Sequence, residues 1–238
     1  MRYPRIIAHR CGGALAPENS LEGLRIAARL GCRGAEFDVM LSADEVPLLI
    51  HDETLDRTTT GHGRVCELTA NVIRQFDAGG PHHRAYAVSP TPTLDEAIAC
   101  CRELGLWANI EIKPASGYEA ITGATVGEWL NTHWDGHGVV SSFSFAALEA
   151  ARANAPDLSF TLLYTELPAN WKDDWRRIGA SAIHLSAEHL SAKAVSAISD
   201  VPWACYTVNS RAAADTLFAL GCHAVFTDRP DLWTPDEM

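Results

Sequence analysis

The 238-residue chain has no apolar run approaching the roughly 18 residues that cross a bilayer, so membrane insertion is not expected. Its first residues, Met1-Arg2-Tyr3-Pro4-Arg5, lead straight into a strand-like segment without the apolar core of a signal peptide, and the expected location is cytoplasmic. No block of Lys and Arg offsets the formal charge of −11, which speaks against nucleic acid or an anionic membrane as the main partner. The seven cysteines (Cys11, Cys32, Cys66, Cys100, Cys101, Cys205 and Cys222) form no C-x-x-C pair, have no histidine at zinc-finger spacing and are odd in number; they read as reduced thiols in or near the core. Gly61-His62-Gly63 lacks the third glycine and following helix of a dinucleotide-binding turn. Ser141-Ser142-Phe143 lacks the G-x-S-x-G elbow of a serine-nucleophile hydrolase. His82, His83, His133 and His137 fall in expected loops and read as solvated.

What is present is a chain 47% hydrophobic and 21% charged, enough to bury a large core under a mixed surface, and one domain over residues 1–238 is expected. Short apolar or β-branched runs alternate with Ala-rich, helix-periodic stretches throughout, the pattern of an α/β chain with parallel strands. Candidate strands are Arg5–His9, Ala35–Met40, Val46–His51, Trp107–Lys113, Val139–Phe143, Phe160–Tyr164, Ala182–Ser186, Trp203–Val208 and Ala224–Thr227. A helix is expected after Asn19, with Glu22 completing a capping box and Gly31 as its stop. Thr93-Leu94-Asp95-Glu96 opens another that Gly105 closes, and later helices fit Ala146–Ala153, His189–Ile198 and Ala212–Leu220.

The link from Leu41 to Val46 is too short for a parallel crossover, so the second and third runs form a hairpin. Setting Leu41 opposite Val46 across the Ser42–Glu45 turn places Glu36 opposite His51. The third run is then an extra strand beside the mouth of an eight-stranded parallel (β/α)₈ barrel. Residues 52–92, rich in Gly and Pro with a short helical stretch near Ala70–Phe76, look like a small inserted cap.

Reactive side chains of such barrels gather at the carboxyl ends of the strands, and here those ends carry His9-Arg10, Glu36-Phe37-Asp38, Glu111-Ile112-Lys113, Ser142-Phe143, Tyr206-Thr207-Val208-Asn209 and Thr227-Asp228. Residues two apart share a face of a strand, so Glu36 pairs with Asp38 and Glu111 with Lys113. Three carboxylates converging inside a barrel require a counter-charge. A hard divalent cation, Mg²⁺ or Ca²⁺, suits an all-oxygen set, and an ion-pair network with Arg and Lys is the plainer alternative. His9 and His51 could exchange protons in a displacement at phosphorus, with Arg10 and Lys113 holding phosphate oxygens. Phe143 is either a wall of the pocket or an ordinary core aromatic.

The words Ile7-Ala8-His9-Arg10, Pro17-Glu18-Asn19-Ser20, Glu36-Phe37-Asp38-Val39, His51-Asp52-Glu53-Thr54-Leu55-Asp56-Arg57-Thr58-Thr59, Asn109-Ile110-Glu111-Ile112-Lys113-Pro114 and Tyr206-Thr207-Val208-Asn209 resemble, in order and over nearly the whole chain, the glycerophosphodiester phosphodiesterase family, most of all its short bacterial branch. The resemblance implies a TIM barrel of the phospholipase-C-like phosphodiesterase type with a small cap, and hydrolysis of small glycerophosphodiesters such as glycerophosphocholine to sn-glycerol 3-phosphate and an alcohol. It implies one divalent cation on Glu36, Asp38 and Glu111, proton exchange by His9 and His51, and phosphate held by Arg10 and Lys113. Two positions depart from the family: Cys11 stands where Gly usually follows His-Arg, either crowding the phosphate or tucking into the core, and Tyr206 replaces a common Trp beside the glycerol pocket. A catalytically silent ligand-binding barrel, with Cys11 as its lesion, is the rival expectation. The oligomeric state, the preferred alcohol, the roles of the two histidines and the first nucleophile, water or the glycerol 2-hydroxyl, are open at this point.

Overall fold

The computed structural model describes residues 3–237. Among them nine strands form one sheet: β1 (Ile6–Ala8), β2 (Gly34–Leu41), β3 (Pro47–Leu49), β4 (Trp107–Ile112), β5 (Gly138–Ser142), β6 (Phe160–Tyr164), β7 (Ala182–Ser186), β8 (Trp203–Tyr206) and β9 (Ala224–Thr227). All but β3 are parallel, and β1 closes the circle by pairing with β9 (Ala8 beside Thr227) and with β2 (Ala8 beside Ala35). The result is the expected closed (β/α)₈ barrel. Both faces of its strands are covered, which is why β2 is buried at every position.

The third run forms the expected antiparallel hairpin with β2, one residue out of the expected register. Leu41 lies opposite Pro47, not Val46, and Val39 opposite Leu49. The reason is the turn. Ser42 N–H donates to Val46 O, the Ser42 hydroxyl accepts from Val46 N–H, and Glu45 sits at φ +59°, so Val46 belongs to the turn. A slip of one exchanges the faces of a strand. His51 therefore lies beyond β3 and not opposite Glu36, while Ile50 donates its N–H to Asp38 O.

Among the described residues eight α-helices accompany the strands: α1 (Leu21–Leu30), α2 (Ala70–Ile73), α3 (Leu94–Leu104), α4 (Glu119–His133), α5 (Phe145–Asn154), α6 (Trp171–Ile178), α7 (Ala192–Ala197) and α8 (Arg211–Ala219). Thr93 and Glu96 form a complete capping box on α3, and Gly31 and Gly105 end α1 and α3 in left-handed conformations, as expected. The cap of α1 is Ser20, whose hydroxyl accepts from Gly23 N–H; Asn19 is left free for another task. Two helices absent from the sequence expectation are α4 and α6, and His133 lies in the last turn of α4. α4 packs on α5 so closely that a Cβ on Gly123 would stand 2.1 Å from Ala147 O, so its contact face is built of backbone and small residues and lacks an apolar stripe.

The main core lies between barrel and helices and includes Phe37, Ile110, Leu148, Phe160 and Trp203. All seven cysteines are buried with free thiols. A second cluster (Met40, Leu48, Ile50, Leu55, Val65, Ile73 and Ala115) ties the segment after His51 to the barrel mouth. No helix among the described residues is long and apolar enough to cross a membrane.

Candidate active site

Glu36 and Asp38 on β2 and Glu111 on β4 point into the barrel at its carboxyl end, each nearly buried, and oxygens of all three lie within 4.8 Å of one another. Neighbouring groups fix two of them. Glu36 accepts the Arg10 N–H at 2.8 Å, and Asn19 grips Asp38 twice, donating from its amide to the carboxylate and accepting the Asp38 N–H. Asn19 can do so because it takes φ +54° just before the helix cap. Burial, together with the Asp38 and Glu111 charges, pushes Glu36 well above the usual carboxylate range; burial and Asp38 raise Glu111 to about 8.

Two histidines flank the cluster, each backed by its own carboxylate. His9 Nδ1 lies 2.7 Å from Asp228 Oδ1, leaving Nε2 3.9 Å from Glu36. Asn209 in turn donates to Asp228 and accepts its N–H. Burial opposes ionisation of Asp228, yet the bonds from His9 and Asn209 hold it below its ordinary value. His51 Nδ1 lies 2.7 Å from Asp52 Oδ1. Arg57 clamps Asp52 through Nε and Nη2 and reaches Glu18, which also accepts from Arg10. An alternating chain, His51–Asp52–Arg57–Glu18–Arg10, thus joins the segment after β3 to the barrel mouth. Burial lowers the His51 pKa, with Arg10 and Lys113 adding to the effect. The arginine head of Arg10 lies 3.8 Å from Asp38, and despite burial the charges of Asp38, Glu18 and Glu36 keep it firmly protonated.

The three carboxylates, His9, His51 and Arg10 line a cavity of about 230 Å³ together with Lys113, Phe143, Tyr206 and Thr207. Lys113 Nζ is 3.5 Å from Glu111 and 5.3 Å from the centre of the Phe143 ring, which meets Tyr206 edge-on. Phe143 is thereby a cavity wall, 44% exposed, and no core residue. The Tyr206 hydroxyl points away, donating to Tyr164 O. All nine residues singled out in the sequence meet in this one place. Cys11 does not line the cavity. It is buried in the main core against Gly23, where a Cβ would stand 2.9 Å from its own. Its φ of +76° is one that glycine adopts without strain. Asp228, Arg57, Glu18 and Asn209 stand in the sequence only as parts of motifs and strand ends, and Asn19 as a motif member and helix cap; their partners lie up to 219 residues away, whereas Asp52 directly follows the His51 that it serves.

At the floor, below the carboxylates, lie Asn109, His184, Leu163 and Phe226. His184 is fully buried and burial drives its pKa down to about 3, from an ordinary 6.5. Below that ordinary value the unfolded chain takes up a proton that the folded one refuses, so stability falls as the pH drops from about 6.5 towards 3. In urea titrations, wild type should lose about 2 kcal/mol more than His184→Gln between roughly pH 6 and pH 4. Parallel pH dependences would show that His184 does not contribute to acid sensitivity.

A parallel barrel whose carboxyl mouth joins an acidic triad, two carboxylate-backed histidines, an arginine and a lysine defines the class of barrel hydrolases that act on phosphoric esters. The sequence pattern of the glycerophosphoryl diester phosphodiesterase family matches residues 9–232, and the chain belongs to that family. It is 30% identical to a glycerophosphodiester phosphodiesterase of Caldanaerobacter subterraneus, over 95% of this chain and 94% of that one. Among solved structures, a phosphodiesterase of Oleispira antarctica in complex with the product sn-glycerol-3-phosphate superposes with a TM-score of 0.91 at 33% identity, covering 96% of this chain and 94% of that one. A glycerophosphodiester phosphodiesterase from Agrobacterium tumefaciens gives 0.77 at 26% identity, covering 97% and 98%.

Proposed function

We propose that the chain hydrolyses small glycerophosphodiesters, such as glycerophosphocholine or glycerophosphoethanolamine, to sn-glycerol 3-phosphate and an alcohol, with one divalent cation on Glu36, Asp38 and Glu111 and with His9 and His51 as the proton-exchanging pair. The observation that carries this reading is the convergence of three buried carboxylates within 4.8 Å between two histidines. The donor set fits a hard cation: it is all oxygen, and Glu36 Oε1 is buried with no hydrogen-bond partner. Mg²⁺ or Ca²⁺ bound there would neutralise the cluster and polarise a phosphate oxygen.

The residues of the chain then divide the work. Arg10 and Lys113 hold the non-bridging oxygens, and Phe143 and Tyr206 wall the glycerol. A second, larger groove of about 640 Å³ runs from His9 past Glu18, Arg57, Pro81 and His82, and His51 does not line it. The compact cavity suits the glycerol phosphate that is retained, and the groove suits the departing alcohol. On that placement His9 gives its proton to the leaving oxygen as the P–O bond breaks. His51, its pKa lowered by burial, takes the proton of the attacking hydroxyl; where that is the glycerol 2-hydroxyl in place of water, the cyclic phosphate formed is then opened by water to sn-glycerol 3-phosphate. The cap, residues 52–92, belongs to the same unit, because Asp52 and Arg57 orient His51. The expected surroundings are those of a small-molecule enzyme working in the cytoplasm.

The test is to incubate protein with glycerophosphocholine, with Mg²⁺ or Ca²⁺ and with chelator, and to measure released glycerol 3-phosphate. Release that depends on the cation and is lost in His51→Ala is expected; equal release in all samples would overturn the mechanism.

A further inference from the structure

Among the described residues, seven buried side-chain polar atoms lack a hydrogen-bond partner, and four of them belong to residues lining the one cavity: Arg10 Nε, Glu36 Oε1, Asn109 Oδ1 and His184 Nδ1. A buried polar group without a partner costs about 1–3 kcal/mol, so a cluster of them marks where a ligand completes the protein. The proposed reaction accounts for two, Glu36 as a cation ligand and Arg10 beside the phosphate. It leaves Asn109 and His184 unused.

Both sit deeper, at the floor. Asn109 is two residues before Glu111 on β4 and shares its inward face one layer down. Its amide nitrogen donates to the Ser141 hydroxyl at 3.0 Å, which turns Oδ1 out as a free acceptor. His184, inward on β7, has Nε2 3.2 Å from the Tyr3 hydroxyl, itself 3.1 Å from the Thr161 hydroxyl. That chain fixes the ring and leaves Nδ1 without a partner. The Phe226 ring packs edge-on to it at 4.8 Å, and Leu163 completes an otherwise apolar floor. Neither Asn109 nor His184 is more than 1% exposed. A carboxylate or phosphate placed here would lack a positive partner, since His184 is held neutral. A hydroxyl is the group that both donates to an amide oxygen and exchanges a hydrogen bond with a neutral imidazole.

We propose that Asn109 and His184 form a hydroxyl-recognition floor that selects the glycerol moiety of the substrate through its terminal hydroxyl, the one farthest from phosphorus. The inference rests on the proposed glycerophosphodiesterase activity and adds the determinant of its specificity. Sites built to hydrogen-bond a hydroxyl reject the analogue lacking it much more strongly than apolar pockets reject an extra group, because their buried polar atoms are then left alone.

The experiment compares glycerophosphocholine with the ester in which propane-1,2-diol replaces glycerol. This analogue keeps the 2-hydroxyl and lacks only the terminal one, so the chemistry at phosphorus is unaltered. Wild type should favour glycerophosphocholine in kcat/KM by ~10²-fold or more, and Asn109→Leu and His184→Phe should each bring the ratio to within a few-fold of unity while keeping turnover of the analogue. Variants that lose both activities equally, with the ratio intact, would show a purely structural floor and overturn the proposal. Should the variants fail to fold, wild type alone decides, since equal turnover of the two esters also overturns it. Failure of wild type to cleave glycerophosphocholine at all would instead sink the activity on which the proposal rests.

Discussion

Glu36→Gln is expected to raise the thermal midpoint of the chelator-treated protein while reducing kcat/KM for glycerophosphocholine by on the order of 10³-fold. The two effects have one cause. Glu36, Asp38 and Glu111 crowd their oxygens within 4.8 Å in a nearly dry setting, and among the described residues no cation sits between them closely enough to cancel the repulsion. Lys113 is 3.5 Å from Glu111, and Arg10 is 3.8 Å from Asp38; Glu36 has only a backbone N–H and a histidine at 3.9 Å. Glutamine keeps the shape and can still accept from Arg10 N–H, so the variant removes charge without opening a hole. Relief of even 1 kcal/mol moves the midpoint of a domain this size by about 2–4 °C.

Adding Mg²⁺ or Ca²⁺ should then raise the midpoint of wild type and leave Glu36→Gln almost unmoved, because binding to the folded state alone is what stabilises. The pH dependence gives a further sign. Glu36 and Glu111 have raised pKa values, so without a cation the folded state holds protons that the unfolded state releases. Stability is full below the ordinary carboxylate value and is lost as the pH rises towards about 8, by on the order of 5 kcal/mol for one such group. Glu36→Gln should flatten that decline. Differential scanning calorimetry in chelator checks both points, and a variant less stable than wild type there would mean that the triad is not under repulsion.

The triad itself was legible in the sequence because its members obey local rules. Glu36 and Asp38 share one strand face by their spacing, and Glu111 stands at the end of an unmistakable apolar run. The extra strand was legible too, since the Leu41–Val46 link is too short for a crossover. Its register was not, because Glu45 adopts a left-handed conformation that residue type does not announce, and Val46 looks like strand. Likewise Asn19 and Ser20 are both good helix caps, and only the proximity of Asp38 decides that Asn19 is used elsewhere. α4 escaped notice because its packing face is Gly123 and Gly127 against α5, where close backbone approach replaces the apolar stripe that marks a helix. The partners of the two histidines split the same way: Asp52 follows His51 directly, whereas Asp228 meets His9 only when β9 closes the barrel against β1.

That closure bears on the second large effect. His9→Ala and His51→Ala should each cut kcat/KM for glycerophosphocholine by about 10²–10⁴-fold, yet they should part company on an activated ester. A choline or ethanolamine oxygen leaves as an alkoxide unless it is protonated, whereas a nitrophenolate leaves without help. If His9 is the acid facing the larger groove, His9→Ala recovers most of its lost rate on the glycerol nitrophenyl phosphodiester. His51→Ala, lacking the base that activates the nucleophile, stays slow on both. The pH profile should carry the mark of the base. A base must be deprotonated to work, so His51 governs the acid limb of the bell, and its burial, which lowers its pKa, shifts that limb to lower pH. His9 acts from the other side of the cluster, with its ring held by Asp228. Asp228 lies 2.7 Å from its Nδ1 and fixes the ring, so Asp228→Asn should lower kcat/KM for glycerophosphocholine more than for the activated ester and leave the acid limb in place. Recovery by His51→Ala instead of His9→Ala on the activated ester would exchange the two assignments, and recovery by neither would place the leaving-group proton on some other residue.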